Sequence, residues 1–145
     1  MTICAHIAQD IYPKSGPISR VNKVAVEHTD LSQAHLEHAN LSWAHLSGAN
    51  LAGTQLTGAD LFRAKLSNAN LSRVQLDGAS LSETQLSNAN LSQAQLSDTN
   101  LSGAKLEGVQ LSEAILINDQ HVGPCLVDVS WAGTVVLQKI ISSSK

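Results

Sequence analysis

Histidine, serine and cysteine are the residues of this 145-residue chain whose chemistry would matter most if they were grouped. Six histidines are present, and four of them, His28, His35, His38 and His45, crowd into one short stretch. Imidazoles so placed could hold a divalent metal, given further ligands and carboxylates to orient the rings. The pattern supplies neither. The two cysteines, Cys4 and Cys125, stand near opposite ends, and no CxxC pair occurs. Solvated surface histidines, with no metal and no cofactor, are the expectation. Serine is abundant but never sits in a GxSxG setting. It recurs instead at turn positions, where a hydroxyl bonds local backbone. Catalysis needs its groups gathered in a concave site. Acids and histidines are scattered singly here, so no catalytic residue is expected and the chain reads as non-enzymatic.

The element that must position these residues is set by leucine, which stands at every fifth position from Leu31 to Leu116, eighteen in a row. A repeat of this kind overrules local propensity. Five residues advance an α-helix by about 140° net, which would scatter the leucines around its cylinder. Along a flat strand they would alternate between faces. A chain that turns a corner every five residues keeps them together. The rest of the unit agrees. Two residues before each leucine stand twelve Ala, four Thr and two Val, all small. Serine dominates just after leucine, as at Ser32, Ser42, Ser47 and Ser67. Next comes often Gly, Asn or Asp, as at Gly48, Gly58, Asn68, Gly78 and Asp98, which tolerate the positive φ of a tight turn. Aromatics are 3% of the chain, too few for a core of mixed large side chains.

Ala39-Asn40-Leu41-Ser42-Trp43 and Ala59-Asp60-Leu61-Phe62-Arg63 are instances of A(D/N)LXX, and the chain here resembles the pentapeptide-repeat family, common in bacteria and especially cyanobacteria. The resemblance covers about residues 29–118. It implies an all-β fold, a right-handed quadrilateral β-helix with four pentapeptides, or twenty residues, per coil. The strict repeats would then make about 4.5 coils, and at about 4.8 Å per coil a stack roughly 22 Å tall.

Twenty residues per coil places side chains in columns. The residue before leucine is short at alternate units, as in Asp30, Asn40, Asn50, Asp60 and Asn70. It is longer between them, as in His35, His45, Gln55, Lys65 and Gln75. The short amides should occupy two opposite faces and form ladders. Trp43 and Arg63 should stack one above the other, with Phe62 beside Arg63. Other outward positions are mostly small or polar, so these three form a candidate partner patch of hot-spot composition, with a cation–π contact available to the Arg.

The ends suggest boundaries. Residues 1–18, with Pro13, Gly16 and Pro17, read as an N-terminal cap or irregular segment, and the solenoid as 19–118. Residues 119–145 read as divergent repeats or a C-terminal cap, since Leu126, Trp131, Val136 and Ile141 keep the five-residue frame after Gly123-Pro124 breaks it. Two arrangements fit: a further coil reaching about residue 137, or an apolar tail folded over the last coil. An apolar coil edge needs a partner, so residues 126–141 are candidate end-cap or homodimer contacts. Cys4 and Cys125 would lie at opposite ends of the stack, too far apart to bridge.

Net charge is −3, and charged residues are only 14% of the chain, which leaves no basic footprint for direct nucleic-acid binding. Asp10, Lys14 and Arg20 interrupt any signal-type apolar run, and no stretch is apolar enough to span a membrane. A cytoplasmic setting is expected. The favoured reading is a structural or protein-interaction module of unidentified partner. The resemblance implies an alternative, since some family members act as DNA mimics that protect or inhibit type II topoisomerase. Residues 24–118 carry nine acids and four bases, with Glu37, Asp77 and Asp98 as a weak acidic stripe. A duplex carries one charge per about 1.7 Å, so a 22 Å mimic would need roughly a dozen acids in a phosphate-like array.

Overall fold

A computed structural model describes residues 27–117 and 135–137. The leucine period becomes a square coil because each pentapeptide supplies one short extended piece and one turn. In the unit around Leu51, the Leu51 N–H donates to the Asn70 carbonyl at 2.7 Å, and the Asn50 N–H donates to Thr29 at 2.9 Å. The chain then turns, closed by the Thr54 N–H on the Leu51 carbonyl at 3.1 Å. Single parallel bridges join each level to the next: Asp30 to Asn50, His35 to Gln55, Asn40 to Asp60, His45 to Lys65, and so on up the stack. Every bridge spans twenty residues. The fold is the right-handed quadrilateral β-helix that the family resemblance implies. Its four faces are named below by their first leucines: the Leu31, Leu36, Leu41 and Leu46 faces.

The third residue of each turn, two after leucine, has φ between 55° and 70° at every unit from His28 to Glu113. That is the left-handed region a type II turn demands at this place. Glycine fills it six times, but twelve other residues adopt it too, among them Trp43, Arg63, Arg73 and Glu83. Each such residue costs on the order of 1 kcal/mol of backbone strain. The hydrogen bonds that this geometry aligns between coils hold the conformation in place, as in Trp43 N–H to the Phe62 carbonyl at 2.8 Å.

All eighteen leucines point inward, and none is more than 4% exposed. The small position beside them is also buried, except Thr29 and Ala34 in the first coil, which are partly covered. Threonine there does more than save space. Thr54, Thr84 and Thr99 are fully buried and donate their hydroxyls to the carbonyls of Leu31, Leu61 and Leu76 at 2.8–2.9 Å. A buried hydroxyl is thereby satisfied at the coil interface.

The amide columns behave partly as expected. Asn50 Nδ2 donates to Asp30 Oδ1 at 3.0 Å, and Asn70 Nδ2 to Asn50 Oδ1 at 3.1 Å. The more frequent contact is local. Oδ1 of Asp30, Asn40, Asn50, Asp60, Asn70, Asn90 and Asn100 each accepts the backbone N–H two residues on, at 2.9–3.2 Å. This Asx turn caps the corner and explains why the side chain must be short.

The twenty-residue register continues past the last leucine. Strand β1, Ile115–Ile117, pairs in parallel with β2, Val135–Leu137, and Leu116 stands opposite Val136. This is the register of one more coil. Residues 1–18, Cys4, Cys125, Leu126, Trp131 and Ile141 lie outside the described residues.

Candidate functional site

Trp43 sits in the turn after Leu41, and Phe62 and Arg63 sit in the same turn one coil on. The αL backbone there throws each third-position side chain outward and over its neighbour. Trp43 and Phe62 meet edge to face, with ring centroids 6.0 Å apart and planes at 89°. The Arg63 guanidinium lies 4.9 Å from both ring centroids. Its Nε donates to Glu83 Oε2 at 2.5 Å, one coil further along the same corner. The guanidinium is therefore held between two rings and a carboxylate, while Trp43 remains 45% exposed.

Beside this corner runs the outward column of the Leu46 face, His45, Lys65, Gln85 and Lys105, linked by parallel bridges. Between corner and column lies an open groove of about 290 Å³. Trp43, Arg63, Glu83 and Gly103 form one wall, and Lys65, Gln85 and Lys105 the other. Sequence reasoning singled out the aromatic corner and passed over Lys65 and Lys105. The signal was available: they lie forty residues apart, hence two coils apart in one column, on the face that Trp43 borders.

The four described histidines are dispersed over one coil. His35 Nδ1 lies 3.2 Å from Glu37 Oε1, and His45 Nδ1 lies 3.9 Å from Glu27 Oε1. The His28 and His38 rings occupy the space that a Cβ at Gly48 and Gly58 would need. Among the described residues no three His, Cys, Asp or Glu side chains converge as a metal-ligand set. Asp30 is held below the ordinary carboxylate range by the Ser32 hydroxyl, the Ser32 N–H and the Asn50 amide. Glu37 is lowered by its own backbone N–H and by His35. The acidic stripe is broken at Thr57-Gly58, and Asp77 Oδ1 is engaged by the Ser97 N–H at 2.9 Å.

The profile of the pentapeptide-repeats family matches residues 27–61, 55–93 and 94–118, in eight copies. The chain belongs to the pentapeptide-repeat family. Solved pentapeptide-repeat proteins share its coil. One from the thylakoid lumen of Arabidopsis thaliana is 27% identical over 71% of this chain and 70% of its own, with a TM-score of 0.63. Another, from Nostoc PCC 7120, is 33% identical over 75% of this chain and 85% of its own, with a TM-score of 0.55. A search of curated proteins found no match. Among the described residues of this pentapeptide-repeat chain, no helix is long and apolar enough to cross a membrane.

Proposed function

We propose that this chain is a non-enzymatic scaffold that presents a fixed surface to a protein partner, in a cytoplasmic setting. The observation that carries the reading is the Trp43–Phe62–Arg63 cluster. It is a fixed, partly exposed aromatic pair with an arginine, on a described surface otherwise mostly small and polar, where Ile115 is the other exposed large apolar side chain. Rigid aromatic anchors bind at low entropic cost. Membership in a family whose members generally serve as structural or interaction modules supports it further. The DNA-mimic alternative has less support. Nine acids among four bases do not make a phosphate-like array, and three of the bases line one groove. The homodimer through residues 126–141 stands beside this reading as a second contact, at the end of the stack.

A photo-crosslinking residue placed at position 43, and in a control at position 73 on a different corner, tests the scaffold reading. A discrete adduct from 43, competed by unlabelled chain and missing from 73, is expected. Identical adduct patterns from both positions refute a defined docking surface.

A further inference from the structure

Building on the scaffold reading, we propose that the groove beside Trp43 receives an acidic segment of a partner protein, with carboxylates on Lys65 and Lys105 and an apolar side chain on Trp43. The charge of the described coils is sorted in a way that singles out this groove. Of the four bases between residues 27 and 117, Arg63, Lys65 and Lys105 line it, and Arg73 lies elsewhere. Of the nine acids, Glu83 alone lines it. Three cations against one anion leave +2 in the groove, and one cation against eight anions leaves −7 on the remaining described surface.

Glu83 is already engaged by Arg63. Among the described residues, Lys65 and Lys105 make no ion pair. They stand in one column with Gln85 between them, two coil steps or about 10 Å apart. Two carboxylates three residues apart on a polyproline-type segment have nearly this separation, at about 3.1 Å per residue. Gly103 leaves the far end of the corner wall without a side chain, so the groove stays open opposite Lys105. At the near end Trp43 offers a ring already fixed by Phe62 and Arg63, so little rotamer freedom is lost on contact.

Cations beside an aromatic also suit single-stranded nucleic acid. The surroundings favour a protein segment. A polynucleotide carries a charge at every residue and would run past this groove onto a surface of opposite preference, with Asp60 on the neighbouring face and Glu107 beyond Lys105. A segment with a few acids fits within the groove.

The test uses the full chain and a fluorescein-labelled decapeptide with four central glutamates and a leucine at each end. Controls are its glutamine counterpart and a ten-nucleotide oligo-dT, all read by anisotropy at 50 mM NaCl. Binding of the glutamate peptide alone is expected, weakened by salt. The double variant Lys65→Gln, Lys105→Gln should weaken it about tenfold, from two partly exposed ion pairs, while Arg73→Gln leaves it unchanged. Glutamine is compatible with these sites, since Gln85 and Gln93 occupy the same two columns. No binding at 1 mM peptide, binding indifferent to both lysines, or oligo-dT binding lost with those lysines would each overturn the proposal. Self-association that the double variant abolishes would assign the groove to a second copy and overturn it as well. A site-specific adduct from position 43 with no peptide binding sinks the acidic segment and leaves the scaffold standing.

Discussion

Leu71→Ala measures how the solenoid stores its stability. Leu71 is fully buried and lies in mid-stack, with Leu51 one coil before and Leu91 one coil after in the same column. Truncation removes three carbons, worth about 0.8 kcal/mol each in transfer, or about 2.4 kcal/mol. The cavity adds to this, since the wall around it relaxes only partly. That wall is backbone pinned on both sides: Leu71 N–H donates to Asn90 at 2.7 Å, and Leu51 N–H to Asn70 at 2.7 Å. The total should be about 3–5 kcal/mol, the upper part of the range for buried leucines. Stability in a stack is a sum of coil terms and interfaces between neighbours, so Leu31→Ala, in the first described coil, should cost less. Urea unfolding followed by circular dichroism gives both values. A loss under about 1 kcal/mol at Leu71, or an equal loss at Leu31, refutes the reasoning.

Other expectations follow from the same geometry. Thr84→Val removes the hydroxyl bond to the Leu61 carbonyl while keeping the volume, and should cost about 1 kcal/mol in the same unfolding assay. Gly58→Ala and Gly78→Ala share one corner column and φ values of 66° and 69°, so both should lose about 1–2 kcal/mol to left-handed strain. Only Gly58→Ala also displaces the His38 ring, and His38→Ala should erase the difference between the two. Asp30 has a depressed pKa in the folded state, so its contribution is present above the unfolded pKa and is lost as pH falls through the folded one. An NMR titration should find the Asp30 carboxyl below the ordinary range. Asp30→Asn keeps the Oδ1 acceptor and should remove that acid-side loss. In sedimentation, wild type should dimerise at high concentration and a folded Trp131→Asp, Val136→Asp variant should not. A monomeric wild type ends the dimer proposal.

The corner at every fifth residue was legible in one dimension, because a five-residue period excludes both a continuous helix and a flat strand. Leucine every fifth residue, with small residues two before it, marked the core positions, and the resemblance to the pentapeptide-repeat family implied the right-handed four-sided coil. The Trp43–Arg63 stack was legible too, since twenty residues per coil turns sequence spacing into neighbourhood. Three things were decided only by the folded chain. The left-handed turn is adopted by Trp43, Arg63, Arg73 and Glu83 as well as by glycine, because the hydrogen bonds between coils offset the strain. The short amides cap their own corners more often than they ladder, because Oδ1 reaches the N–H two residues on before it reaches the next coil. Lys65 and Lys105 border the Trp43 corner as a basic wall, while the chain around them is acidic. Their column follows from the forty-residue spacing, but the open groove between it and the Trp43 corner depends on how the side chains of both walls are disposed, which composition and net charge average away.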